Sequence, residues 1–207
     1  MHDGKDADFI LAHAERLVKV ATMCVISFGL ADGLNDALKA DCSETNDWQQ
    51  AAAGFQDGTL MMAALRATLL LDRDETKVSF QTIQRRLKSE LVQDDLKKSL
   101  AKAHGPDDVF PPSRDELIAI FLTIYSEIDW KAHSRLTYFR NLGIAHLTVE
   151  KMNKSITFDE LRTFVSIISR LAKVVQDLCH TQTAFREWML DDYREIARNA
   201  IIKNPPA

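Results

Sequence analysis

The sequence predicts an all-α fold, an up-and-down bundle of roughly five to seven helices. Three observations carry this. Apolar residues recur at steps of three and four along most of the chain, the period of one helix face. Gly and Pro number only 7 and 5 in 207 residues, whereas sandwiches and barrels need frequent turns. No stretch alternates apolar and polar residues over strand length, and no repeat or low-complexity tract is present.

Residues 9–38 read as the first helix. Ile10, Leu11, Ala14, Leu17, Val18, Ala21, Val25 and Phe28 form its stripe, and Gly29 and Gly33 are placed as breakers near its end. A polar connection, residues 41–47, leads to a second helix over 48–71, with Phe55, Met62, Leu65, Leu69 and Leu70 expected in the core. Asp72-Arg73-Asp74-Glu75-Thr76-Lys77 is a charged loop, and Ser79 after it suits an N-cap. The next helical stretch presents Phe80, Ile83, Leu87, Leu91, Leu96 and Leu100, with a break expected between Glu90 and Asp94.

His104-Gly105-Pro106 and Pro111-Pro112 mark the clearest boundary. It divides one domain, 1–207, into N-terminal helices (8–103), motif-bearing core helices (113–180) and a C-terminal helix (184–203). Ser113 and Glu116 fit a capping box. The helix they open is expected to run unbroken from Asp115 to Phe139, roughly 38 Å at 1.5 Å per residue. Thr157 and Glu160 form a second capping box before the stripe Leu161, Phe164, Ile167, Ile168, Leu171, Val174, Val175 and Leu178.

A net charge of −4 excludes a protein that coats nucleic acid through an overall basic surface, so any RNA contact must be local. The three cysteines, Cys24, Cys42 and Cys179, are odd in number and widely spaced, as in a cytoplasmic protein with reduced thiols. The longest uncharged stretch near the N-terminus, Val20–Ala31, is 12 residues, too short to span a bilayer, and the first residues do not read as a signal peptide. No membrane association is expected.

The chemistry concentrates in Arg140-Asn141-Leu142-Gly143-Ile144-Ala145-His146. On an unbroken helix Arg140 and His146 would point about 120° apart. They can meet if the long Arg curls round, if Gly143 bends the backbone, or if two subunits each add a pair to one cleft. A guanidinium fork suits the non-bridging oxygens of a phosphodiester, where charge builds during cleavage. An imidazole suits proton transfer from the ribose 2′-OH or to the leaving 5′-oxygen. Asn141 can hold the turn or touch phosphate or ribose. Taken alone, an Arg and a His at a helix end are more often solvated surface.

In its setting, at the end of a long amphipathic helix and followed by another, this segment resembles the active-site motif of the HEPN superfamily (higher eukaryotes and prokaryotes nucleotide-binding). Arg140, Asn141, Ala145 and His146 match its pattern, and Leu71-Asp72-Arg73-Asp74 with Val78-Ser79-Phe80 is similar to its abortive-infection branch. The resemblance implies a helical bundle, a homodimer with the motif at its interface, and a metal-independent endoribonuclease with Arg140, Asn141 and His146 as catalytic residues and no cofactor. It further implies a toxin or phage-defence role and an antitoxin partner. Thr148 stands where some members carry a Tyr modified by a partner nucleotidyltransferase, and Leu142 and Gly143 replace Lys-rich positions. The competing expectation is a catalytically inactive helical module that binds a partner protein or nucleotide, which the acidic net charge favours.

Lys131 and Arg135, one turn apart, are candidates for an RNA-binding strip beside His133; an ordinary solvated face is the plainer account. Glu127 and Asp129 are expected to pair with nearby lysines. Cys179-His180 lacks a second pair at ligand spacing, so no metal site is expected. Trp48, Trp130 and Trp188 read as packing residues.

Overall fold

A computed structural model describes residues 5–40, 47–105, 112–141, 156–183, 185–186 and 189–202. Among these residues the chain forms eight helices and no strand: α1 (Lys5–Ala40), α2 (Asp47–Leu70), α3 (Phe80–Leu87), α4 (Glu90–His104), α5 (Arg114–Ser126), α6 (Trp130–Phe139), α7 (Phe158–Cys179) and α8 (Met189–Ile202).

The all-α class is as the sequence indicates, and the larger helix number has two local causes. The third apolar stretch divides at Lys88 and Ser89, just before the expected break, where Lys88 ends α3 and Ser89 caps α4. The expected unbroken helix over 115–139 divides at Glu127–Asp129. There the Asp129 carboxylate accepts hydrogen bonds from the Lys131 and Ala132 N–H groups and starts α6 afresh. Those two bonds also hold the Asp129 carboxyl below its usual range. Asp129 thus serves the backbone, and Glu127 binds the Arg170 guanidinium at 2.5 and 2.9 Å; neither takes the expected lysine partner.

α1 is the spine. It packs against α2, α7 and α8 and reaches α3 and α4. Ile10, Leu17, Val18, Ala21, Val25 and Phe28 are all buried in the main core. It is long and apolar enough to cross a membrane, yet 67% of its most apolar window is buried within the fold. Its full length therefore overrides the argument from the 12 uncharged residues, and its place in the core accounts for its apolarity.

Gly29 and Gly33 do not break α1. Instead they admit α8: a Cβ on Gly33 would lie 2.1 Å from the Arg194 carbonyl oxygen, and one on Gly29 2.8 Å from that of Leu190. Next to them, the buried Asp32 carboxylate meets Arg162 of α7 at 2.7 Å and Arg194 of α8 at 3.4 Å, tying three helices together.

α2 faces the core with Ala63, Ala64, Ala67 and the expected Leu70, but not with the expected Phe55, Met62 and Leu69. Its small-residue face lets it close on α1, where the Cys24 thiol donates to the Ala63 carbonyl at 3.4 Å. Phe55, Met62 and Leu69 lie on the outer face at 58%, 42% and 46% exposure. Leu91, also assigned to an apolar face, is exposed as well, and so is Ile120 of α5.

Candidate active site at the end of α6

Three capping arrangements position the site. Between α2 and α3, the Asp72 carboxylate accepts from the Asp74 N–H, and Asp74 accepts from the N–H and hydroxyl of Thr76. Ser79 Oγ donates to the Asp72 carbonyl at 2.7 Å, and Thr82 Oγ1 to that of Lys77 at 2.7 Å. The loop carrying Asp72, Arg73 and Lys77 is thereby fixed to the first turn of α3. Asp129 starts α6, and the Thr157–Glu160 capping box starts α7.

Arg140 is the residue at the C-terminal cap of α6, its N–H donating to the Leu136 and Thr137 carbonyls. It lies on the wall of two adjoining hollows. The larger, about 410 Å³, lies among α1, α2 and the 71–79 loop, and Arg16, Leu17, Leu69, Asp72, Lys77 and Arg140 are among its lining residues. The smaller, about 270 Å³, is lined by Thr68, Asp72, Arg73, His133, Ser134, Thr137 and Arg140. Asp72 and Arg140 belong to both. Together the two walls carry four cations, Arg16, Arg73, Lys77 and Arg140, against the single carboxylate of Asp72. On a chain of net charge −4 this is a local basic cleft.

Arg140 Nε is buried with no hydrogen-bond partner among the described residues, and so is His133 Nε2. Buried polar atoms are normally bonded, so such orphans call for an account. His133 is 6% exposed and packs edge-on against Trp130 and Phe164. Burial, with Arg73 adding to it and Asp72 opposing, holds its imidazole below the ordinary range, so the ring is neutral at pH 7.

Of the residues singled out from the sequence, Arg140 lines the cleft and Asn141, next to it, is exposed. His146 lies outside the described residues, as do Gly143 and Thr148. Lys131 is exposed and nine residues before Arg140, about 180° away around the helix. Arg135 forms an ion pair with Glu160 of α7, and the Thr157 N–H and that pair hold the Glu160 carboxyl below its usual range. Neither Lys131 nor Arg135 joins Arg140 in lining the hollows.

The residues that do join it were visible only in part. His133 and Arg140 are seven apart, which places them within about 20° on one helix face. That spacing is a usable sequence signal. Arg16 and Lys77 come from distant segments and reach the cleft only through folding. Trp130 is a packing residue, with its ring against Tyr125 and His133 and under the Arg73 guanidinium at 5.1 Å.

Cys24 is buried and Cys179 half-buried, and desolvation pushes both thiols up to about 12. His180 ends α7 in the left-handed conformation, φ 50°. No group of three potential metal ligands occurs among the described residues. No protein-family model, curated protein or solved structure matches the chain.

Proposed function

We propose that the protein is a HEPN-type endoribonuclease that cleaves RNA without metal by attack of a ribose 2′-OH on the adjacent phosphorus, acting in the cytoplasm as a toxin or phage-defence effector. The observation that carries the reading is the position of Arg140. The motif arginine lines a cleft where three further cations face a single carboxylate, and its Nε has no partner of its own. A phosphodiester is the ligand such a surface favours, because the planar guanidinium offers paired donors to two phosphate oxygens.

In this reading Arg140 stabilises the charge that builds on the non-bridging oxygens. His146 moves the proton, and Asn141 holds the turn between them. Sharing of the cleft between two copies is supported by the outer face of α2. Phe55, Met62 and Leu69 form an exposed apolar stripe at seven-residue spacing, and Leu69 is also a wall of the Arg140 cleft. A second copy seated on that stripe would bring its own motif next to the first. Exposed apolar stripes of this kind mark association surfaces.

The test is incubation of the purified protein with total RNA in EDTA, beside His146→Ala. The proposal expects cleavage by the wild type and its loss in the variant. Equal cleavage by both would remove His146 from the reaction. No cleavage by either, with a protein or nucleotide complex that survives the substitution, would favour the inactive binding module.

A further inference from the structure

We infer that the smaller hollow beside Arg140 is a ribose-selective subsite, in which Arg73 and Arg140 hold a phosphate of the RNA strand while His133, Thr137 and their neighbours read the sugar hydroxyls. The inference rests on the ribonuclease reading for the nature of the polymer, and on the lining of the hollow for the rest.

α6 supplies one wall through a repeated spacing. His133, Thr137 and Arg140 stand four and three residues apart, so they line one face. His133 is more than nine-tenths buried, and its Nε2 lacks a hydrogen-bond partner among the described residues. A ring needed only for packing would be better served by Phe, with no orphaned nitrogen. The second orphan, Arg140 Nε, is on the same wall.

The hydroxyls of the lining already donate their hydrogen bonds within the protein. Thr68 Oγ1 donates to the Leu65 carbonyl at 2.7 Å, Ser134 Oγ to Trp130 at 2.9 Å, and Thr137 Oγ1 to His133 at 3.0 Å. What each offers a ligand is therefore a lone pair. The Asp72 carboxylate is acceptor-only, and the neutral imidazole of His133 has a lone pair on one nitrogen. Arg73 and Arg140 are the donors. A bare phosphate would satisfy the two arginines and leave the remaining lone pairs of these acceptors unmatched, Asp72 already accepting from the Asp74 N–H. A ribose phosphate satisfies both sets, because its hydroxyls donate where the acceptors stand.

The base is not what this hollow reads. Apart from His133 itself none of its lining residues is aromatic, and the nearby Trp130 is covered by the Arg73 guanidinium. The volume of about 270 Å³ is just under the range of about 300–1,000 Å³ usual for small-molecule sites. It suits a sugar with its phosphate better than a lone anion.

A site built to hydrogen-bond a hydroxyl rejects the analogue that lacks it, since its own buried polar groups are then left unmatched. The experiment is binding of a ribonucleoside 3′-monophosphate, its 2′-deoxy counterpart and inorganic phosphate to the full chain, followed by ligand-observed NMR. Two variants accompany the wild type: His133→Phe, which keeps the ring between Trp130 and Phe164, and Thr137→Val, which keeps the side-chain shape. The wild type should bind the ribonucleotide at least about tenfold more tightly than the deoxynucleotide. Each variant should move that ratio toward one, while inorganic phosphate binds all three proteins alike. Equal affinity of the wild type for ribo and deoxy forms, or a ratio that neither variant changes, overturns the inference. Thr137→Val decides the matter if His133→Phe does not fold. RNA cleavage is read separately. A ribose preference without cleavage keeps the subsite and removes the nuclease, and cleavage without a ribose preference does the reverse.

Discussion

Gly33→Ala should destabilise the protein although alanine is the better helix former. The substitution by itself favours α1 by about 1 kcal/mol, because glycine carries the larger entropy cost in a helix. Against that stands the approach of α8. The new Cβ would lie 2.1 Å from the Arg194 carbonyl oxygen and 2.9 Å from Ala197 Cβ. Atoms of this kind do not come within 3.0 Å, so α8 must retreat by nearly 1 Å or more, and backbone cannot rotate away as a side chain does. The retreat strips contacts from Leu190, Tyr193 and Ala197 and lengthens the Arg194 ion pairs to Asp32 and Asp36, now 3.4 and 2.7 Å. Overpacking a closed contact costs about 1–3 kcal/mol; less the propensity gain of about 1 kcal/mol, the net loss expected is up to about 2 kcal/mol. Gly58→Ala is the control. It sits on the exposed face of α2 with nothing within 4 Å and should gain about 0.5–1 kcal/mol. Urea unfolding of the three proteins reads both signs. A Gly33→Ala protein as stable as the wild type, with an unchanged transition slope, would refute the claim that these glycines exist to seat α8.

Three further outcomes follow from the same contacts. Because His133 is held below its ordinary 6.5, the unfolded chain binds more protons than the folded one just below that pH. Stability therefore falls as pH drops through the window, by up to about 1.4 kcal/mol per unit; urea midpoints at pH 7.5 and 5.5 should diverge more for the wild type than for His133→Phe, and parallel shifts would contradict this. Thr157→Ala removes the hydroxyl that accepts from the Glu160 N–H at 3.1 Å and should cost about 1 kcal/mol in urea unfolding; no measurable loss would mean the cap does not support α7. On the proposed pairing through the outer face of α2, Met62→Glu, at an exposed position, should leave the thermal midpoint within a few degrees and lower the mass by light scattering from that of a pair to that of one 23.4 kDa chain; a wild type that already has the single-chain mass, or an unchanged mass in the variant, would contradict pairing through this face.

What could be read from the sequence divides along the range of the forces involved. Local signals were faithful: Ser79 caps a helix as expected, and Ser113 and Thr157 do so within the capping boxes that their spacing to Glu116 and Glu160 suggests. Apolar periodicity located the helices and placed Leu70 in the core, but it put Phe55, Met62 and Leu69 of α2 there as well. The alanines of α2 pack more closely on α1 than Phe55 or Met62 could, and that choice is made by the partner helix. The division at Asp129 was missed because Asp in a continuous apolar pattern reads as a surface residue, and only its two bonds to backbone N–H groups reveal a cap. Gly29 and Gly33 were read as breakers because sequence alone does not show a neighbour's backbone. At the candidate cleft, Arg140 is the lining residue that the sequence put forward as catalytic. The cations around it were not legible, since Arg16 is brought in from α1 and Arg73 and Lys77 from the loop before α3.

The most direct test of the account is the single-turnover rate of RNA cleavage by Arg140→Ala in EDTA, measured beside the wild type on one defined RNA. Arg140 Nε has no partner among the described residues, so the folded protein should survive the change with its thermal midpoint nearly unmoved. Removing a group that stabilises developing charge should slow cleavage by about 10²- to 10³-fold. A variant that folds normally and cuts the same RNA at the wild-type rate would contradict the assignment of this cleft to phosphodiester cleavage.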